Sequence, residues 1–379
     1  MSISVLSEDF LKDTNIRDLN EVLRYSASSA GDDRMGILQP ATGNTPSGNI
    51  ALRGFPINSK LRNGIIRQNG FSLDNVERVE IIKGPAAVFF GQGYPGGVIN
   101  YVTKRPQFSS TPSTSLSYSY GGSGGNTGTQ RATLDHNTKL NEKTAFRLVG
   151  AWDNGKGDVN YEFNKGFSIT PSLTFIPFDS KKIKINLEVE HLDKTRNQDD
   201  TAWTWNEQYF LDYQNPRPEL ITASGVANAA AYRTRIFSSY ANWIADVRKA
   251  AGDNYIPGVT SIKRGAYYTD RAGNRVYDED FNYYGVGSYS QDVVTTGQVT
   301  IEGSPFEWLD FRYAYTADNS SYYENKSSAV PNADGMTFNT LGSNLFTREY
   351  IQDSQDHQID IVLKADVAGN VQKLLVGGV

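Results

Sequence analysis

From residue 115 onward, apolar and polar side chains alternate with a period of two. Leu116, Tyr118 and Tyr120 share one parity, and Ser115, Ser117 and Ser119 the other. Phe167, Ile169, Leu173 and Phe175 oppose Ser168, Thr170, Ser172 and Thr174, and Ile183, Ile185, Leu187 and Val189 oppose Lys184, Asn186, Glu188 and Glu190. Leu309, Phe311, Tyr313 and Tyr315 repeat the scheme, as do Ile359, Ile361 and Leu363. Successive side chains of a strand point to opposite faces, so each of these segments has one apolar and one polar face. A wall with lipid outside and water or a second domain inside has this pattern. The alternation predicts nine strands, at about 114–120, 130–137, 144–152, 167–176, 183–192, 293–302, 308–317, 355–365 and 373–379. Short connections at about 138–143, 177–182, 303–307 and 366–371 alternate with long ones at about 153–166, 193–292 and 319–354. Outer-membrane barrels have short turns on the periplasmic side and long loops outside.

The first hundred residues follow another rule. Ile3 and Val5 predict a short edge strand, Ser7 to Leu11 a helical turn, and Asp18 with Glu21 the spacing of a capping box, with Leu19, Val22 and Leu23 on one helical face. Residues 26–48 are polar and predict a surface loop. Asn49 to Phe55, Gly64 to Arg67, Val76 to Lys83 and Gly97 to Thr103 read as strands. Pro85 can open a short helix over Ala86 to Phe90, because its missing N–H would be unpaired there, and Gly91 is a fitting stop. Gly91, Gly93, Gly96 and Gly97 bracket Tyr94-Pro95 and turn the chain sharply. The result is a small, compact mixed unit.

Residues 74–106 (Asp-Asn-Val-Glu-Arg-Val-Glu-Ile-Ile-Lys-Gly-Pro, then Ala86 to Pro106) resemble the end of the plug domain of TonB-dependent outer-membrane receptors, especially those that import ferric siderophores. Asn49 to Phe55 is similar to the Ile-Arg-Gly-Phe motif of that family, and the resemblance covers about residues 1–106. It implies a mixed α+β plug domain over 1–106, followed over 107–379 by the N-terminal portion of an antiparallel transmembrane β-barrel, incomplete at about nine of 22 strands, with a long extracellular loop at about 193–292. An odd strand count, and the lack of a signal segment or a TonB-contacting box, lead to the expectation of a fragment. In the family, the arginines of the two motifs lock the plug to barrel glutamates. Carried over, these are Arg53 and Arg78, with a pair of local salt bridges as the alternative.

The resemblance implies a gated transporter in the cell outer membrane rather than an enzyme. A ferric siderophore would bind outside and pass inward with energy from the TonB complex. Cobalamin, haem or an oligosaccharide is the alternative cargo. A soluble β-rich polysaccharide-binding protein or hydrolase is the alternative class, but it would need an aqueous outer face. No nucleic-acid partner is expected. Iron would stay within the siderophore, with no cofactor held by protein side chains.

Composition narrows the chemistry further. There is no cysteine among 379 residues, and the three histidines (His136, His191, His357) are far apart, so no metal site is expected. No run of 18 apolar residues exists, which leaves strands as the means of crossing a membrane. Residues 53–105 hold eight basic against three acidic side chains. That excess either attracts an anionic ligand or pairs with acidic groups on a surrounding wall. Arg62, Arg67, Gln68 and Asp74 are candidate ligand contacts, since Asn63-Gly64 and Asn69-Gly70 beside them suggest exposed turns. Trp203, Trp205 and Tyr209 of the long loop are further candidates. These aromatics either grip a bulky amphipathic ligand or pack the loop against itself. Three catalytic look-alikes fail. Gly91, Gly93 and Gly96 fit a dinucleotide fingerprint, but a helical turn precedes them and a strand follows. Gly121 to Gly125 lacks the helix that a nucleophile elbow needs, and Gly157 replaces the Ser/Thr of a phosphate loop. No catalytic residue is assigned.

Overall fold

The computed structural model describes residues 2–14, 16, 22, 25–26, 29–31, 50–53, 55–57, 60–67, 72–84, 96–121, 128–157, 160–180, 182–197, 204–238, 240–252, 262–264, 266–269, 275–278, 287–331, 337–367 and 370–378. The N-terminal unit begins with β1 (Ser2–Ser7) and α1 (Glu8–Asp13), where the Ser7 hydroxyl caps the helix by accepting from the Phe10 N–H at 3.3 Å. Three short strands follow, β2 (Ser29–Gly31), β3 (Ile50–Leu52) and β4 (Phe55–Ile57), which pair with one another. The predicted strand over Asn49 to Phe55 is therefore a hairpin, not one strand. Its tip is Arg53, which adopts a positive φ of 53° and breaks the extended path.

β5 (Lys60–Arg62) and β6 (Ile65–Arg67) form a second hairpin, followed by β7 (Val76–Lys83) and β8 (Gly97–Thr103). These complete a five-stranded sheet in the order β1-β7-β8-β5-β6. Both turn residues of the second hairpin have positive φ, Asn63 at 53° and Gly64 at 87°, the pair that a tight two-residue turn demands. The core of the unit gathers Leu6, Leu11, Leu52, Val79, Ile81, Ile99 and Tyr101. Gly97 sits so close to β7 that an added Cβ would lie 2.2 Å from the Ile82 carbonyl oxygen. The predicted capping box at Asp18 and the helix at Ala86 to Phe90 lie outside the described residues.

The wall contains all nine strands that the alternation predicts: β9 (Ser113–Gly121), β10 (Gly128–Asn141), β11 (Thr144–Lys156), β12 (Phe163–Phe175), β13 (Ile183–Asn197), β18 (Tyr289–Phe306), β19 (Leu309–Pro331), β20 (Thr337–Val367) and β21 (Asn370–Gly378). Neighbours in this series pair antiparallel. Two expected loops are largely strand. Residues 319–354 mostly belong to the paired arms of β19 and β20, and the connection between β11 and β12 shrinks to 157–162. In these segments the two parities differ little in polarity, so the alternation fades while backbone pairing continues.

The long insertion has structure of its own. It contains β14 (Thr204–Asn206), α2 (Glu207–Gln214), α3 (Pro218–Ser224), α4 (Ala229–Ser238), α5 (Tyr240–Ala251), β15 (Ile262–Arg264), β16 (Ala266–Thr269) and β17 (Arg275–Asp278). Within the segment expected as a loop, four helices thus follow one another. The helices bury Leu220, Tyr232, Ile236 and Trp243 together. β16 and β17 join the wall at the outer end of β20, which brings that sheet to eleven strands.

Candidate functional site

The two faces of the wall have opposite surroundings. Ser168, Thr170, Ser172, Thr174, Glu188 and Glu190 are buried, whereas Leu116, Phe167, Ile169, Leu187 and Val189 are exposed. The extremes are Glu190 at 0% and Leu116 at 75% exposure. A wall that buries its carboxylates and exposes its leucines is inside-out for a protein in water and correctly ordered for one in lipid. The polar face is covered by the N-terminal unit, and that junction brings together the buried charges of Arg62, Arg67, Glu188 and Glu190.

At its centre lies Arg62, 3% exposed, whose Nη2 donates to Glu188 and, at 2.7 Å, to Glu190. Arg67 reaches Glu190 at 3.5 Å, and the Ser72 N–H donates to the same carboxylate at 3.3 Å. Ser72 is linked to wall Ser168 through their hydroxyls at 3.1 Å. Burial alone would lower the Arg62 pKa, but Glu188 and Glu190 hold it above its ordinary value. For Arg67 burial prevails, and its pKa falls despite Glu190. β5 and β6 place these arginines at the two ends of a three-residue hairpin arm, so both aim at one patch of β13.

The hairpin tip docks on the next strands. The Asn63 side chain donates to Thr103 at 2.9 Å and to wall Gln298 at 2.6 Å, while Arg312 of β19 donates to the Asn63 carbonyl at 2.6 Å. Two further junctions flank this one. Arg131 bridges Asp74 of the N-terminal unit and wall Asp153. Lys104 lies 2.9 Å from Glu8 and 3.0 Å from Asp135, and Arg147 also grips Asp135, at 2.7 Å. Between these two junctions is a cavity of about 360 Å³, bounded by Leu11, Leu73 and Val76 on one side and by β9–β11 on the other.

The residues singled out from the sequence fall in different places. Arg62 and Arg67 lie in the buried junction rather than on outward loops, and the Asn63-Gly64 turn expected to be exposed is half-buried against the wall. Asp74 is engaged by Arg131. Arg78 pairs along its own strand with Glu80 at 2.8 Å and lies 4.0 Å from Glu77, the local alternative to a lock. Arg53 is exposed at its hairpin tip. Tyr209 packs inside the insertion, its hydroxyl donating to the Ile236 carbonyl at 2.9 Å and its ring set edge-on to Trp243 at 5.5 Å. Trp205 lies in β14, paired with Lys263, whereas Gln68 and Trp203 fall outside the described residues. Sequence reasoning missed Glu188 and Glu190 as partners. Their signal was present in two glutamates of the polar parity of one strand. Among the described residues, no three His, Asp or Glu side chains are arranged to hold a metal ion.

Comparison with known proteins places this geometry. Residues 1–98 match the family profile of the TonB-dependent Receptor Plug Domain. The chain is 28% identical over 201 residues to the ferrioxamine receptor of Yersinia enterocolitica, an alignment covering 50% of this chain and 26% of that receptor. Its fold is similar to the ferric-catecholate import receptor Fiu of E. coli in its open form, with a TM-score of 0.63 at 15% identity, covering 99% of this chain and 48% of Fiu. The ferripyoverdine receptor of Pseudomonas aeruginosa gives a TM-score of 0.64 at 16% identity, covering 99% of this chain and 41% of that receptor. This chain thus spans less than half the length of each.

Proposed function

We infer that this chain, which belongs to the TonB-dependent outer-membrane receptors, serves in binding a ferric siderophore outside the cell and admitting it to the periplasm. Residues 1–106 act as the plug and 107–379 as wall strands of the barrel, with the insertion after β13 on the extracellular side. The observation that carries this reading is the buried junction of Arg62 and Arg67 with Glu188 and Glu190, which seats a folded plug against the polar face of a wall whose other face is apolar.

A shut pore suits a cargo that is scarce and too large for an open channel. The junction holds the plug through charge-assisted hydrogen bonds rather than a greasy interface. Such contacts are specific in geometry and exchange readily for water once strained apart. Energy delivered by TonB at the inner membrane would then shift the plug and release the ligand inward. The iron stays coordinated by the siderophore throughout.

The test is genetic and direct. Cells lacking the complete gene should lose TonB-dependent uptake of one labelled ferric siderophore under iron starvation. Unchanged uptake across a siderophore panel, with loss of cobalamin, haem or oligosaccharide uptake instead, would replace the cargo and keep the receptor.

A further inference from the structure

The two sides of the plug meet the wall differently. Beneath the β5–β6 hairpin, the space left between Asn63, Thr103, Glu188 and Gln298 is about 20 Å³, room for about one water molecule. On the side of α1, the cavity of about 360 Å³ separates Leu11, Leu73 and Val76 from β9–β11. Its wall carries hydroxyls, from Ser115 and Ser117 of β9 and Thr133 of β10. The charges differ in the same sense. Arg62 and Glu190 are both buried, and parting them strands each without a counter-ion. Asp74 and Arg131 are 20% and 16% exposed beside the cavity. When they part, Arg131 keeps Asp153, and Asp74 keeps the Ser72 hydroxyl, which donates to it at 2.6 Å.

One residue on the α1 side is at odds with a plug built only to stay shut. A 3₁₀ turn, Leu73–Asn75, is capped by Ser72, whose hydroxyl accepts from the Asp74 N–H at 3.2 Å. Asn75 ends the turn and is 1% exposed, and its backbone carbonyl accepts from the Lys104 N–H at 2.9 Å. Neither the oxygen nor the nitrogen of its carboxamide has a hydrogen-bond partner among the described residues. A buried amide without partners opposes the arrangement that buries it, and a leucine of similar size would not. The closed plug thus carries a local penalty beside a gap lined with hydroxyls, and movement of the turn into that gap relieves it.

Resting on the receptor reading above, we propose that the plug leaves the wall first on its α1 side, with the β5–β6 hairpin as the edge that holds, and that Asn75 is a positioning residue that sets how readily this side opens. The ligand's route inward then runs between α1 and β9–β11.

The chain has no cysteine, so single reporters are placed in the complete receptor, with any cysteine elsewhere in it replaced by serine. Leu11→Cys reports the α1 side and Leu61→Cys the hairpin side, and both leucines are buried. The receptor is purified in detergent and held in urea too dilute to unfold the wall. Leu11→Cys should react with fluorescein maleimide at least about tenfold faster than Leu61→Cys. Adding Asn75→Leu should slow the first reaction about tenfold, equivalent to about 1.4 kcal/mol, and change the second less than about twofold. Loss of a residue that merely packs would speed both. Thr133→Trp fills the cavity from the wall, leaves the plug core untouched and should slow the same reaction. Equal rates at the two reporters, or faster labelling of Leu61→Cys, overturn the opening side. A receptor that does not fold with Asn75→Leu, or is labelled at Leu11→Cys as fast as before or faster, overturns the role of Asn75. No slowing with Thr133→Trp overturns the route through the cavity. The readout needs no ligand, so its failure is distinct from failure of the siderophore uptake test above.

Discussion

Arg62 is the residue on which the plug–wall junction turns. It is buried with two carboxylates, and removing either side of such a pair leaves an uncompensated charge, which costs about 3–5 kcal/mol. Arg62→Ala or Glu190→Gln should therefore loosen the plug without unfolding the wall, seen as faster amide exchange across β5–β8 while β11–β13 keep their protection. Equal exchange in variant and parent would show that the junction carries no such load. Lys60, next to this cluster, gives a second prediction. Burial pushes its pKa down to about 8 from an ordinary 10.5. Between those values the unfolded chain binds more protons than the folded one, so plug stability should rise as pH increases through that window. Lys60→Met should flatten the rise and stabilise the plug at neutral pH, measurable by denaturant titration at several pH values.

At the scale of elements, the sequence revealed what two periodicities could carry and little else. All nine wall strands were legible because lipid on one face and polar groups on the other impose strict alternation; Leu187 with Glu188 and Val189 with Glu190 show it most clearly. The outer halves of β19 and β20 were not, because polar residues such as Asn319, Ser320, Ser321 and Glu324 occupy both parities there. The hairpin around Arg53 was hidden because a positive φ at arginine has no compositional signature. At Asn63-Gly64 the turn residues were visible, but their docking was not, since Gln298 and Arg312 are more than two hundred residues away. Gly64→Val should cost about 1–2 kcal/mol through its φ of 87° and weaken the plug's seat on β18 and β19. The insertion should behave as a unit of its own. Trp243 is 1% exposed at the centre of its helices, and its indole N–H donates to Asp212 at 2.9 Å. Trp243→Ala should cost about 3–5 kcal/mol, reducing the helical circular dichroism signal while the β signal persists.

Over the whole molecule, polarity is arranged from the inside outward: a small apolar plug core, a polar and charged seam, the wall, then an apolar exterior. Residues on opposite faces of the wall should therefore respond oppositely to the same kind of substitution. Val189→Arg places a charge on the lipid face and should cost about 2–4 kcal/mol at the bilayer midplane, read as a lower yield of folded receptor in vesicles. Lumenal Thr296→Arg should leave insertion intact and disturb only the plug. One further consequence follows from the paired arms of β19 and β20, 23 and 31 residues long. At about 3.3 Å per residue and a tilt near 40°, β19 rises about 55–60 Å, roughly twice the height of the apolar band. The hairpin therefore stands clear of the lipid headgroups like a mast. With β16 of the insertion paired along its outer end, the hairpin and the insertion form one raised surface, which an antibody against either segment should reach on intact cells.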